Sequence, residues 1–219
     1  MLLGVSESCF IPNRSKKKSQ VLSQGMQKQI IVATRNAHKI QEIRAILSDF
    51  DVVDLSVLEN PPEVEETGTT FLENATLKAV AISKLTDALV LSDDSGLEVD
   101  ALGGAPGVYS SRYAGEEGND HLNNEKLIRE LTGAKNRTAR FRCVMVICEG
   151  GKVLADFSGS VEGIILEDKT GSGGFGYDPL FKPEGYSSSF AELGEHIKNQ
   201  LSHRANALAG VKSWLQTEE

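Results

Sequence analysis

The chain has 219 residues, of which 40% are hydrophobic, enough apolar material for one sizeable core. Its formal net charge of −8 argues against electrostatic binding of nucleic acid over a broad surface, because the phosphate backbone binds basic surfaces. No apolar run approaches the roughly 18 residues that a membrane helix needs, so we expect neither nucleic acid nor a membrane as a partner.

The first 27 residues differ from the rest in composition. Arg14 and residues 16–18 are basic, Glu7 is the one acid of residues 1–25, and serine is frequent. We interpret residues 1–27 as a disordered extension, or as the product of a start codon assigned upstream of a true start at Met26. The alternative is an organelle-targeting peptide, which shares this acid-poor, serine-rich composition. Residues 28–219 then form one domain.

The chain contains three cysteines, Cys9, Cys143 and Cys148. An odd number without paired spacing argues against a secreted disulfide framework. Cys143 and Cys148 lie at an odd separation within one predicted strand, so they are expected to point to opposite faces. We therefore predict buried free thiols in a reducing, cytoplasmic compartment.

From Gln29 onward the hydrophobic pattern alternates between strands and helices. The run 30–33 predicts a buried strand, and Asn36 is typical of the N-cap of a helix. The other predicted elements are strands over 51–55 and 89–91, helices over 70–86 and 120–131, a hairpin of 138–148 and 152–162, and a closing helix capped by Ser202. This order predicts an α/β fold.

Acidic residues gather where the strand over 89–91 is predicted to end. Asp93 and Asp94 begin an acidic turn, predicted over residues 93–96, at which this strand ends, and Glu65-Glu66 lie in an earlier turn. A carboxylate at the carboxyl end of a strand is where open α/β sheets place ligands, and Mg²⁺ takes one or two carboxylates plus substrate phosphates. The alternative is turn chemistry, because Asp-Ser-Gly is a common turn sequence.

Two predicted helices begin with basic residues, which the helix dipole disfavours. Lys39 follows Asn36, and His203-Arg204 follow Ser202. Lys78 and Arg204 are also the single cations of otherwise apolar helical stripes. We interpret these cations as a pocket for phosphate groups, since free N–H groups at a helix start favour anions. The alternatives are tolerated exposed bases and side chains whose stems pack while their charges reach water.

The segment 171–179 is rich in glycine and holds two aromatic residues, Phe175 and Tyr177. Glycine lets the backbone approach a flat ligand closely. Either aromatic ring is suited to stack on a base, and Asp178 to accept its N–H groups. The alternative is a plain connector.

Taken together, these segments resemble the inosine triphosphate pyrophosphatase family, and within it the bacterial-type XTP/dITP diphosphatases. The resemblance covers about residues 28–215. It rests on motifs in the family's order, namely 34–39, 65–68, 71–74, 93–96, 102–107, 173–178 and 202–204. It implies a two-lobed α/β fold with a mixed central β-sheet flanked by helices, and a homodimer. It also implies hydrolysis of ITP, dITP and XTP to the monophosphate and pyrophosphate.

The resemblance implies a role for each matching residue. Glu65 and Asp94 match the ligands of one Mg²⁺ per subunit, and Asp94 also matches the proton acceptor. The substrate-binding positions are matched by Thr34, Arg35, Asn36, Ala37, His38, Lys39, Lys78, Ser95, Phe175, Gly176, Tyr177, Asp178, Lys198, His203 and Arg204. Of these, Thr34, Asn36, Lys39 and Lys78 would hold the triphosphate, and the segment 175–178 the base.

Arg35 and His38 depart from the family pattern, because many members have glycine at these two positions. These two departures leave the preference among the purine substrates open, but they do not affect the predicted reaction. Two rival functions are a non-catalytic nucleotide-binding module, which would not need Glu65 and Asp94, and a hydrolase of the Nudix class. The chain lacks the REx₂E-x-G helix of that class.

Overall fold

The structure is a computed structural model that describes Met1 and residues 29–217. Beyond Met1, the predicted extension over 1–27 and the cysteine at position 9 lie outside the described residues. In the described part, Cys143 and Cys148 are buried free thiols in two different hydrophobic clusters, as predicted.

Within residues 29–217, six strands form one sheet in the order β2-β1-β3-β4-β5-β6. The strands are β1 (Ile30–Val32), β2 (Val52–Val53), β3 (Leu89–Val99), β4 (Thr138–Glu149), β5 (Lys152–Ile165) and β6 (Phe181–Pro183). The first three are parallel, whereas β4, β5 and β6 each pair antiparallel with the strand before them. The predicted mixed sheet is therefore confirmed.

Five α-helices of the described part of the chain flank the sheet. They are α1 (Ala37–Ile46), α2 (Phe71–Ser83), α3 (Asp120–Glu130), α4 (Phe190–Leu201) and α5 (His203–Thr217). The predicted caps are present, because the Asn36 side chain accepts from two N–H groups of α1 and Ser202 Oγ accepts from Ala205 N. Helix α4 was not predicted; Gly194, at φ +78° and ψ 168°, interrupts its helical backbone.

Two hydrophobic clusters divide the molecule into lobes, and β3 and β4 run through both. The first cluster packs Leu91 and Met145 against α1 and α5, and the second packs Leu97 and Phe141 against α3 and α4. Between Leu91 and Leu97 lie the polar residues of β3. The arrangement places these polar groups at the junction of the two lobes.

The prediction that the strand ends at residue 91 and that residues 93–96 form a turn is wrong. Strand β3 continues to Val99, and Asp93, Asp94, Ser95 and Gly96 all pair with residues of β4. The long partner strand β4 supplies hydrogen bonds along the whole segment, which the local sequence does not show. Strand β1 stops opposite Leu91, so the two carboxylates still lie beyond the carboxyl end of the parallel pair.

Other boundaries also differ from the prediction. The second strand is only Val52–Val53 and is followed by a 3₁₀ turn at Leu55–Val57. Helix α2 ends at Ser83, and β5 extends to Ile165. No helix within residues 29–217 is both long and apolar enough to cross a membrane.

Candidate active site

A cavity of about 920 Å³ opens at the junction of the two lobes. This volume is typical of small-molecule sites, which commonly enclose about 300–1,000 Å³. Its wall combines the start of α1, the turn before α2, the middle of β3, the 3₁₀ segment Gly107–Arg112, the loop 175–178 and the α4–α5 junction. These are the segments that carry the sequence motifs.

Asp93 lies at the centre of a buried ion cluster on one face of β3. Its Oδ1 accepts from Lys39 Nζ at 2.5 Å, and its Oδ2 accepts from Arg204 Nε at 2.9 Å and from Cys143 Sγ at 3.0 Å. Burial alone would raise the pKa of Asp93, but the charges of Arg204 and Lys39 hold it well below its ordinary value. Asp93 is therefore the anion that the two basic helix starts share.

Asp94 points to the opposite face, since side chains alternate along a strand. Its Oδ1 accepts from Lys78 Nζ at 3.1 Å, while its Oδ2 is buried and has no hydrogen-bond partner among the described residues. Burial raises the pKa of Asp94, and the charges of Lys78 and Lys39 offset this only in part. Asp94 thus lines the cavity as a carboxylate with one oxygen unsatisfied by the described residues.

Lys78 joins Asp94 to a second carboxylate. Its Nζ donates to Glu66 Oε1 at 2.6 Å, and Arg112 Nη1 lies 3.7 Å from Glu66 Oε2. Glu65, the predicted metal ligand, is exposed and lines the same cavity. Glu66 and Arg112 were not predicted as site residues, although the doubled acid in the 65–68 motif was a signal for Glu66.

A second group of charges occupies the other end of the cavity. Lys198 Nζ lies 2.5 Å from Asp178 Oδ2 and 2.8 Å from Glu42 Oε1, and Arg204 Nη1 donates to Glu42. Arg204 Nη2 also donates to Ser95 Oγ at 2.9 Å. The sequence did not identify Glu42 as a site residue. Nothing in its position on α1 indicates that Lys198 of α4 and Arg204 of α5 contact it.

His203 and Asp178 are both buried and both have shifted pKa values. Burial, with the positive charges of Arg204 and Lys198, lowers the pKa of His203 well below its ordinary value, so its imidazole is neutral at pH 7. Its Nδ1 is buried and has no hydrogen-bond partner among the described residues. Burial raises the pKa of Asp178, although Lys198 opposes the shift.

The two aromatic residues of the glycine-rich loop have different surroundings. Tyr177 is buried in the second hydrophobic cluster, and its hydroxyl donates to Ser110 O at 2.8 Å. Phe175 is half-buried and lines the cavity, with Lys198 Nζ 4.3 Å from its ring centroid. Of the two rings, Phe175 is therefore the one available to a base.

The predicted turn before α1 lies at the cavity mouth. Thr34 Oγ1 accepts from Asn36 N at 3.2 Å, and both residues line the cavity together with Arg35 and Lys39. Arg35 is exposed and its Nη2 donates to Pro61 O at 2.9 Å. Ala37 and His38 are exposed at the helix start, and the His38 ring stacks on Phe175 at a centroid distance of 5.1 Å.

Replacement of Glu42 by Gln is expected to lower the free energy of unfolding by about 2 kcal/mol at neutral pH, because two buried cations lose their shared counter-charge. Burial alone would raise the pKa of Glu42, but Arg204 and Lys198 bring it below its ordinary value of 4.5. Such a carboxylate stabilises the fold above its unfolded-state pKa, and this contribution is lost as the pH falls through the lower folded-state value.

Urea unfolding of the wild type and of Glu42→Gln, from neutral pH down to about pH 3, measures this effect. The difference between the two proteins is expected to shrink once the pH falls below about 4.5, the ordinary pKa of glutamate. Glu195→Gln, on the exposed side of α4, serves as the control and should match the wild type throughout. A difference that is unchanged at the lowest pH would contradict this account.

Comparison with known proteins places this architecture in a family. The model of the Ham1 family matches residues 30–214. A dITP/XTP pyrophosphatase of Bacillus licheniformis is 50% identical over 192 residues, which are 86% of this chain and 98% of that protein. A dITP/XTP pyrophosphatase of Bacillus subtilis is 45% identical over 193 residues, again 86% of this chain and 98% of that protein.

Solved structures agree with the sequence relatives. The Ham1 protein of Staphylococcus aureus is 42% identical, with a TM-score of 0.79, over 88% of this chain and all of that one. A HAM1 protein of Coxiella burnetii is 37% identical, with a TM-score of 0.78, over 87% of this chain and 99% of that one. These relatives confirm the predicted resemblance in sequence and in fold, and the chain belongs to the Ham1 family.

Proposed function

We propose that the protein hydrolyses ITP, dITP and XTP to the nucleoside monophosphate and pyrophosphate, and so removes deaminated purines from the nucleotide pool. The observation that carries the proposal is Asp94, a buried carboxylate with one unpartnered oxygen among the described residues, which lines a cavity together with the cations Lys39, Lys78, Lys198 and Arg204. The relatives named dITP/XTP pyrophosphatase cover most of the chain and support the same substrate class.

The triphosphate would lie at the end of the cavity formed by the start of α1 and by α2. Lys39 and Lys78 supply positive charge there, and Thr34 and Asn36 supply polar groups beside the helix N-terminus. Arg35, Ala37 and His38 complete the turn. Ser95, which is held by Arg204 Nη2 at 2.9 Å, is proposed as a further substrate contact.

The donor set of Asp94 and Glu65 fits one Mg²⁺ per subunit. The buried Oδ2 of Asp94 has no hydrogen-bond partner among the described residues, and Glu65 faces the same cavity. Mg²⁺ typically binds one or two carboxylates and completes its shell with water and phosphate oxygens. When bound, the ion supplies positive charge that neutralises the phosphate oxygens.

In the proposed reaction Asp94 accepts a proton from a water molecule that attacks the α-phosphorus, and pyrophosphate leaves. The pKa of Asp94 is raised by burial, which makes its carboxylate a stronger base than an exposed aspartate. Lys39 and Lys78 hold the phosphate chain in line and stabilise the charge that develops on it.

The base would lie beside Phe175, in the part of the cavity that Lys198 and Arg204 also line. An arginine has five N–H donors, and Arg204 uses three in its bonds to Asp93, Glu42 and Ser95, which leaves two for a ligand. These two N–H groups and His203 would donate hydrogen bonds to the C6 oxygen of hypoxanthine or xanthine. Adenine carries an amino group at C6, which is itself a donor and would not accept these hydrogen bonds. Gly176, Tyr177, Asp178 and Lys198 shape this end of the site.

We propose a homodimer as the assembled state. A groove on the opposite side of α2 presents exposed apolar side chains, with Leu72 at 44% and Tyr109 at 57% exposure, beside Val144 and Arg142. Patches of this kind commonly mark protein interfaces. Light scattering coupled to gel filtration should give twice the chain mass, and Leu72→Asp should give the mass of one chain.

The function is tested by incubating the protein with a panel of dITP, XTP, dATP and dGTP in the presence of Mg²⁺. Rapid release of pyrophosphate from dITP and XTP, with much slower release from dATP and dGTP, is expected. Release of orthophosphate instead would show a different cleavage position. Binding without turnover would favour the non-catalytic nucleotide-binding module.

A further inference from the structure

Two side chains of α3 hold the base loop, defined here as Gly173–Asp178, and one of them, Asp120, also lines the cavity. Asp120 Oδ2 accepts from Gly176 N at 2.6 Å, and Asn124 Nδ2 donates to Gly176 O at 2.8 Å. The N–H and the carbonyl of one glycine are thus bonded by side chains that lie one helical turn apart on α3. Gly176 directly follows Phe175, whose ring lines the cavity.

The base loop needs such support because its own backbone does not fix its position. Gly174 and Gly176 have φ values of +73° and +61°, in the region where glycine is favoured, and glycine has access to many backbone conformations. Inside the loop, Asp178 Oδ2 accepts from Phe175 N at 2.9 Å. This bond shapes the loop, and the side chains of Tyr177 and Asp178 attach its end to Ser110 and Lys198. The contacts from α3 are the ones that bond the backbone of Gly176.

Helix α3 is suited to act as the attachment. Its start is capped by Asn119, whose Oδ1 accepts from Leu122 N at 3.1 Å. The negative charge of Asp120 lies in the first turn, where the helix dipole favours it. Asn124 is 3% exposed, and its Nδ2 also donates to Asp120 O at 2.7 Å. Both partners of this nitrogen are carbonyl oxygens, so only a donor fits there.

We propose that Asp120 and Asn124 are positioning residues for base recognition in the reaction proposed above. They fix Gly176, and through it they set the distance of Phe175 from the base and of Asp178 from Lys198. Their effect is expected on the base, because both bond Gly176, whereas Lys39 and Lys78, proposed to hold the triphosphate, bond Asp93, Asp94 and Glu66. Loss of either the Asp120 or the Asn124 side chain weakens binding of the purine and reduces the preference for dITP over dGTP. Binding of the phosphate groups is retained.

The test compares two adjacent asparagines of α3. Asn124→Asp is nearly isosteric but turns an acceptor toward two carbonyl oxygens, and Asn124→Ala removes the donor. Asn123→Ala is the matched control, because Asn123 is equally buried at 2% exposure and bonds Ala114 N and Ser111 O instead. For each protein we would measure KM and kcat for dITP and dGTP, the melting temperature, and inhibition by inorganic tripolyphosphate, which carries no base.

Loss of one or two hydrogen bonds should raise KM for dITP about fivefold in Asn124→Ala and about tenfold or more in Asn124→Asp, with kcat changed less than about twofold. The preference for dITP over dGTP should fall, and inhibition by tripolyphosphate should be unchanged. Asn123→Ala should lose melting temperature to a similar degree as Asn124→Ala, yet keep its base preference.

The proposal is overturned if Asn124→Asp keeps the KM and base preference of the wild type, or if tripolyphosphate inhibition weakens as much as dITP binding. If Asn124→Asp does not fold, the Asn124→Ala protein and the pair Asp120→Asn and Asp120→Ala decide the matter. Asp120→Asn retains an acceptor for Gly176 N and should keep more of the dITP preference than Asp120→Ala. A wild-type protein that releases no pyrophosphate would instead reject the proposed function itself.

Discussion

Replacement of Asp94 by Asn is expected to lower kcat for dITP by about 1,000-fold, because a positioned general base commonly contributes 10²–10⁴-fold. The amide keeps the size of the side chain but neither accepts the proton nor carries the negative charge. The fold is expected to be unchanged, since the Asp94 side chain accepts only one hydrogen bond from a described residue, Lys78. Pyrophosphate release and circular dichroism measure the two effects.

The same substitution is expected to leave the melting temperature of the metal-free protein unchanged or to raise it. The pKa of Asp94 is raised, chiefly by burial, so the folded state disfavours its ionised form at neutral pH. An acid with a raised folded-state pKa lowers stability when it is ionised, and its neutral replacement removes that cost. A large loss of melting temperature, or turnover close to that of the wild type, would contradict the assignment of Asp94.

Replacement of the adjacent Asp93 by Asn is expected to give the opposite stability result, a loss of about 4 kcal/mol in the free energy of unfolding. Removal of one partner from a buried ion pair leaves an uncompensated charge, which commonly costs about 3–5 kcal/mol. Asp93 is fully buried and compensates both Lys39 and Arg204. Chemical denaturation of the two Asn variants, measured side by side, tests the difference.

The two substitutions form a matched pair, because they make the same chemical change at neighbouring buried positions of β3. Asp93→Asn should also reduce activity, since Lys39 and Arg204 lose the carboxylate that orients them. A smaller loss of stability than that of Asp94→Asn would show that Asp93 is not the centre of the ion cluster. Equal losses in both variants would argue that neither carboxylate has a separate role.

The sequence alone carried enough information for the fold class and for about half of the residues that line the cavity. Helix starts can be predicted from the local sequence, because capping residues such as Asn36 and Ser202 bond N–H groups only two or three residues further along the chain. Helical periodicity placed Lys78 and Arg204 on otherwise apolar stripes; the Arg204 side chain is buried at 1% exposure, and that of Lys78 is 12% exposed. The motif order was likewise sufficient to predict the family.

The course of β3 was predicted incorrectly because it depends on a partner that is far along the chain. The segment 93–96 has the composition of a turn, yet β4 supplies its hydrogen bonds from residues 142–145. The strand then turns Asp93 toward Arg204 and Asp94 toward Lys78. The separate surroundings of the two carboxylates therefore follow from strand alternation and not from the local sequence.

What the sequence by itself determined is the inventory of the site, namely the acids of β3, the inward cations and the glycine-rich loop, because these signals are local or periodic. Only the tertiary structure decided which charges neutralise each other. Glu42 forms ion pairs with Lys198 and Arg204, and Asn124 forms a hydrogen bond with Gly176. The partners are 52 to 162 residues apart in the sequence. Such pairings depend on the packing of helices onto the sheet, and no spacing along the chain encodes them.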